Sequence, residues 1–370
     1  MRWSWKIGNF AGISVFMHAT FLILIGWVAL SHWLVGRTPG AVITGVAFIL
    51  ALFLCVVLHE YGHALMARRY GIRTRDITLL PIGGVARLER MPDKPEQELL
   101  VALAGPAVNV VIAGVLFVWL SVTGSWMPMR EIGLTAGSFV ERLMIVNLFL
   151  VGFNMLPAFP MDGGRVLRAL LAKRMEYTRA TQIAAGLGQG MAFLFGFAGL
   201  FYNPFLLFIA FFVWIGAAQE ASMAQMRSAL AGVPVSRAML TEYRTLNATD
   251  PLARAVDAVL RGSQADFPVM DGKRIAGVLT RGDLLKALAE HHENTMVRDV
   301  MTREFEMVDE HEMLEPAFQR MQASAVHIAP VTRFGCIVGI LTVENVGELL
   351  MIQAAIEGAR AKLKFVKAAA

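Results

Sequence analysis

The sequence predicts a polytopic α-helical membrane protein of about six transmembrane helices, with a short β-hairpin near its polar centre, joined to a cytoplasmic α/β domain of two repeats. Three observations predict this. Six runs of about 20 apolar residues precede residue 225, and that length matches a bilayer core. The chain is 56% hydrophobic and only 17% charged, with a mean hydropathy of +0.55, whereas soluble domains are about a quarter charged. Beyond Gly232 the hydropathy drops and a gapless repeat begins, offset by 62 residues. Disorder is excluded by the apolar content. Two cysteines, Cys55 and Cys336, exclude a disulfide scaffold or a Cys-rich zinc module, and both are expected to be free thiols.

The expected spans cover roughly residues 12–34, 41–66, 98–122, 138–160, 181–201 and 204–220. The first is longer than a signal-peptide core and carries Trp27 and Trp33, so it is expected to be retained. The net charge of +5 divides unevenly: residues 1–232 hold 18 Lys+Arg against 11 Asp+Glu, and residues 233–370 hold 16 against 18. The basic excess therefore belongs to the apolar half and reports topology rather than nucleic-acid binding. Arg2 and Lys6, seven residues from Arg68 to Lys94 and five from Arg165 to Arg179 place 14 basic residues on one side, against Arg37, Arg130 and Arg142 on the other. This asymmetry predicts a multi-pass protein of the cell (inner) membrane with both termini in the cytoplasm.

Ionisable residues inside spans are costly and mark function. The second span contains His59-Glu60-Tyr61-Gly62-His63. On a helix, positions i and i+4 share a face, so both imidazoles reach one metal ion, with Glu60 beside them as a proton acceptor. A catalytic zinc site needs a third protein ligand. The first 232 residues contain three Asp: Asp76 and Asp93 in the basic loop, and Asp162 at the end of the fourth span, after Pro157 and Pro160. The second and fourth spans run in the same direction, so His63 and Asp162 are expected at one depth. The alternative role for Asp162 is an N-cap for a helix starting at Gly163. The segment from Asp76 to Leu88, with Pro81 and Gly83-Gly84, reads as a hairpin whose edge is able to add an unwound substrate strand. Glycines 186, 188, 190, 196 and 199 in the fifth span suit close packing, or equally a mobile gate.

His59-Glu60-x-x-His63, with Asn154-x-x-Pro157-x-x-Pro160-x-Asp162-Gly163 about 100 residues later, resembles the site-2 protease family of intramembrane zinc metalloproteases. Pro81-Ile-Gly-Gly84, Gly105-Pro106-x-x-Asn109 and His18 are similar to further family features, though His18 is given no catalytic role. The resemblance covers residues 1 to about 225. It implies that His59, His63 and Asp162 bind one zinc ion, that Glu60 is the general base, and that Asn154 hydrogen-bonds the oxyanion or substrate backbone. A helix–helix hydrogen bond is the alternative for Asn154. No long polar insertion separates the spans, so the PDZ domain of some members is not expected.

In the soluble half, Met239 aligns with Met301, Leu252 with Leu314, Pro268-Val269 with Pro330-Val331, and Gly277-x-x-Thr280 with Gly339-x-x-Thr342. Each unit reads strand, helix, strand, strand, helix. These residues, with Asp283, resemble a pair of cystathionine-β-synthase (CBS) domains. The resemblance implies a site for ATP or another adenine nucleotide, with Thr280 and Thr342 toward phosphate and Asp283 toward the ribose; Asn345 stands where a second Asp belongs. The alternative is a purely structural or dimerising module, which would make a homodimer through the CBS domains. The expected domains are a protease at 1–232, CBS units at 233–292 and 293–352, and a basic tail at 353–370.

The expected function is regulated intramembrane proteolysis of a transmembrane protein substrate, such as a membrane-bound precursor sigma factor or anti-sigma factor, tuned by nucleotide. The competing reading is a CBS-gated metal-ion transporter in which His59, His63 and Asp162 line a permeation path. Glu60 discriminates the two, because only a protease needs a base that is not a ligand.

Overall fold

The computed structural model describes residues 3–92, 94–124, 137–290, 295–324 and 326–369, with side chains to residue 356. Arg2, Asp93 and Arg130, and the side chains of Arg360, Lys362, Lys364 and Lys367, lie outside the described residues. The chain divides into two compact units, Met1–Ala224 and Gln225–Ala370.

The first unit opens with two strands, β1 (Ser4–Phe10) and β2 (Ile13–His18), followed by helices α1 (Ala19–Gly36) and α2 (Pro39–Arg69). Next come β3 (Thr74–Leu80), β4 (Gly83–Leu88), α3 (Pro95–Thr123), α4 (Phe139–Asn154), α5 (Asp162–Ala172), α6 (Tyr177–Phe201) and α7 (Phe205–Leu230). The strands form one sheet in the order β1-β2-β3-β4. β2 and β3 pair in parallel, and the outer pairs are antiparallel. The expected hairpin is therefore half of a larger sheet, and the segment expected to open the first span at residue 12 is instead β2. Alternation explains the strand: Ile13 and Val15 are buried, on one face of a pleated ribbon. His18 then caps α1, its Nδ1 accepting from the Thr20 N–H at 3.3 Å, which gives it a structural role.

Among the described residues, five helices are long and apolar enough to cross a membrane: α1, α2, α3, α6 and α7. α4 has 16 residues, about 24 Å at 1.5 Å per residue, because the prolines that follow cannot continue it. The outer faces of these helices stay apolar although the protein leaves them uncovered, as at Ile43, Val111, Trp119 and Phe193, the pattern that a lipid-facing surface requires. α3 lies centrally against α2, α4 and α5. Among the α6 glycines, Gly188 and Gly199 lie against backbone atoms, whereas Gly186 and Gly190 face open space.

The second unit holds two similar halves. The first contains β5 (Leu246–Asn247), α8 (Leu252–Leu260), β6 (Phe267–Asp271), β7 (Arg274–Leu279) and α9 (Arg281–Ala289). After the short α10 (Val297–Val300), the second contains β8 (Val308–Asp309), α11 (Leu314–Ala323), β9 (Ile328–Arg333), β10 (Cys336–Thr342) and α12 (Val343–Ala369). Each half builds a three-stranded sheet. The halves exchange contacts reciprocally, with Leu240 bridging to Ile340 and Thr302 to Val278. A Cβ at Gly277 would fall 2.7 Å from the Met301 sulfur, and one at Gly339 would fall 2.9 Å from that of Met239. The repeated Met and Gly are thus partners across the pair.

Candidate metal centre

α2 presents His59 and His63 one turn apart, their rings edge-to-face with centroids 4.7 Å apart. Asp162 arrives from the other side of the fold. Pro157 and Pro160 follow the end of α4, and a new helix begins with Asp162 as its first residue and Met161 as N-cap. The alternative role of Asp162 as an N-cap therefore does not hold, because Met161 occupies that position. Its carboxylate still benefits from the helix N-terminus. Gly163 and Gly164 make the placement feasible: a Cβ at Gly163 would lie 2.2 Å from the Leu156 carbonyl oxygen, and one at Gly164 would lie 2.5 Å from the Phe159 nitrogen.

Three ligand-type atoms converge. The His59 and His63 Nε2 atoms are 3.0 Å apart, and each is 3.2 Å from Asp162 Oδ2. All three residues are buried. The far ring nitrogens face acceptors: His59 Nδ1 lies 2.8 Å from Asn109 Oδ1 and His63 Nδ1 lies 2.7 Å from the Val101 carbonyl. Each Nδ1 therefore carries the proton, and each Nε2 turns a bare lone pair inward. Two ring nitrogens and a carboxylate oxygen thus lie within 3.2 Å of one another, the convergence that three ligands of one cation adopt. A tetrahedral ion with ligands at about 2.0–2.1 Å sets ligand atoms about 3.3 Å apart, close to the observed triangle. The donor set fits zinc. Gly105 keeps the space open, because a Cβ there would fall 2.2 Å from His63 Nε2 and 2.7 Å from His59 Nε2.

Glu60 points to the sheet side. Its Oε2 accepts from the Ala86 N–H of β4 at 3.1 Å, and a Cβ at Gly84 would fall 2.9 Å from its Cγ. Gly84 thus lets β4 lie directly on Glu60. Arg165 Nη1 stands 3.9 Å from the other Asp162 oxygen. Asn154 ends α4, half-buried, and among the described residues no hydrogen bond links it to His59, Glu60, His63 or Asp162.

Thr280, Asp283 and Thr342 lie in the second unit. Thr280 caps α9 in a reciprocal box with Asp283, whose Oδ2 also accepts from the Thr302 hydroxyl at 3.2 Å. Thr342 and Asn345 repeat the arrangement before α12, the Asn345 N–H donating to Thr342 Oγ1 at 3.3 Å. Sequence reasoning named Gly105 and Asn109 only as part of a motif, with no role for either, and passed over Asn147. Asn109 and Asn147 are polar residues within apolar helices, which is a signal, but neither is ionisable.

Comparison with known proteins gives concordant findings. Residues 47–136 and 127–197 match the model of peptidase family M50. Residues 235–290 and 297–351 each match the CBS domain. A zinc metalloprotease of Methanocaldococcus jannaschii is 32% identical over 305 residues, covering 82% of this chain and 84% of that protein. Rip3 of Mycobacterium tuberculosis is 28% identical over 383 residues, covering 95% and 93%. A solved site-2 protease from Methanocaldococcus jannaschii is 37% identical and covers 59% of this chain and 95% of its own, with a TM-score of 0.44.

Proposed function

The chain belongs to peptidase family M50, the site-2 proteases, as a membrane-embedded zinc metalloprotease with two CBS domains, and we propose that His59, His63 and Asp162 hold its zinc while Glu60 is the general base. The convergence of three buried ligand-type atoms beside Glu60 carries this reading. A zinc ion held by these residues would supply Lewis acidity, lowering the pKa of water to about 7 and polarising a carbonyl. Glu60 takes the proton from the attacking water and delivers it to the leaving amine. The Ala86 N–H holds one oxygen of the Glu60 carboxylate, leaving the other for the proton. β4 is an edge strand, so an extended substrate segment adds to it beside Glu60. Asn154 is the donor for the developing oxyanion or the substrate backbone.

In this reading the substrate is a membrane-bound regulator, such as a precursor sigma factor or an anti-sigma factor, cut near the cytoplasmic face of the cell membrane. Residues 1–232 are the protease, 233–292 and 293–352 the CBS domains, and 353–370 a basic tail, with both termini cytoplasmic. An adenine nucleotide, held by Thr280, Asp283 and Thr342, modulates activity, and the CBS pair supports a homodimer. Family membership disfavours the transporter reading.

The test compares cells carrying wild type or Glu60→Gln, by mass spectrometry of new protein termini. Glu60→Gln is expected to retain zinc and to lose every wild-type-dependent fragment. Normal cleavage by Glu60→Gln would sink the mechanism.

A further inference from the structure

The buried polar residues of α2, α3 and α4 form a single hydrogen-bonded chain behind His59. Asn109 Nδ2 donates to Asn147 Oδ1 at 3.0 Å, and Asn147 Nδ2 donates to the Leu143 carbonyl at 2.8 Å. Cys55 Sγ lies 3.5 Å from the same Asn147 nitrogen. Asn109 and Asn147 are wholly buried. An amide has two orientations, but the far end of this chain permits one. A carbonyl oxygen only accepts, so Asn147 turns its NH2 to Leu143 and its oxygen to Asn109. Asn109 then turns its NH2 to Asn147 and its oxygen to His59. The His59 Nδ1 proton, and with it the free Nε2 lone pair, follows from a carbonyl on α4.

We propose that Asn109 and Asn147 are positioning residues for the metal centre: Asn147 orients the Asn109 amide, and Asn109 holds His59 in the tautomer that presents Nε2 to zinc. The proposal rests on His59 being a ligand, and it adds two residues from two further helices to the machinery. Burial strengthens the effect, because both amides are closed off from bulk solvent and an amide turned the wrong way would leave polar groups unsatisfied. The outer partner of a ligating histidine typically governs 10–100-fold in metal affinity.

Zinc affinity of the purified full-length protein, measured by competition with a chelator, tests this, with the melting temperature of the metal-free protein alongside. Asn109→Leu is expected to weaken zinc binding about 10–100-fold, and Asn147→Leu by a smaller factor in the same direction. In Asn109→Asp a carboxyl oxygen still accepts from the His59 Nδ1–H; its affinity is expected to stay within about threefold of wild type. Unchanged zinc affinity in Asn147→Leu, with only the melting temperature lowered, would reduce Asn147 to packing and overturn the proposal. Equal losses in Asn109→Asp and Asn109→Leu would also overturn it, and Asn109→Asp alone decides this if Asn109→Leu does not fold. His59→Ala is the reference: if it binds zinc like wild type, the ligand assignment has failed instead.

Discussion

The two polar sites of this chain have opposite hydrogen-bond accounts. At the metal centre, His59 Nε2, His63 Nε2 and Asp162 Oδ2 converge within 3.2 Å of one another, an arrangement that a bound cation would complete. In the CBS unit, Thr280 and Asp283 hydrogen-bond each other reciprocally, Thr302 adds a further bond, and Thr342 with Asn345 repeats the pattern. That site is complete as a helix cap. Convergent acceptors therefore point to a ligand far more strongly than a matched motif whose members already have partners.

The largest expected effect tests the incomplete site. Asp162→Ala removes one of three ligand atoms and is expected to leave the purified protein without stoichiometric zinc, read by elemental analysis, and without detectable proteolysis. Thr280→Ala, at the complete site, is expected to leave zinc content unchanged. Full zinc occupancy in Asp162→Ala would break the contrast.

The next effect concerns stability. Arg168 is buried and bridges α3 to α7: its Nε donates to Glu98 Oε1 at 2.7 Å and its Nη1 to Glu220 Oε2 at 3.0 Å. Its guanidinium also covers the rings of Phe159 and Tyr177. Arg168→Met leaves the Glu98 charge buried and uncompensated, which typically costs about 3–5 kcal/mol. A lower melting temperature in detergent is expected, with recovery when Glu98→Leu is added. No recovery in the double variant would mean that Arg168 acts through packing on its aromatic neighbours rather than through charge.

The contrast also separates what was legible in the sequence from what was not. His59, Glu60 and His63 share a local helical period, so their juxtaposition is readable without the fold. Asp162 was found because Asp is scarce in the apolar half and prolines precede it. The N-terminal strands were hidden, because Ile13–His18 is as apolar as the helix it leads into, and hydropathy does not distinguish a strand from the first turns of a span. The turn between them, with Ala11 and Gly12 at φ of 51° and 81°, carries no strong signal at Ala11. Asn109 and Asn147 escaped for a different reason. Their importance lies in the direction of a hydrogen-bond chain across three helices, which no local spacing encodes.

The smallest expected effect sharpens the comparison at the complete site. Asp283→Asn gives the first repeat the residue that Asn345 supplies in the second. The side-chain oxygen still accepts from the Thr280 N–H, so the cap survives, and the stability cost is expected below about 1 kcal/mol, within the range for cap substitutions. The charge is lost, and with it the strongest acceptor for two ribose hydroxyls. ATP titrated into the full-length protein is expected to bind about tenfold more weakly, or about 1.4 kcal/mol, while the melting temperature barely moves. Unchanged affinity would make Asp283 a cap and nothing more. The two repeats would then be equivalent at this position, and any nucleotide would have to be held by other residues.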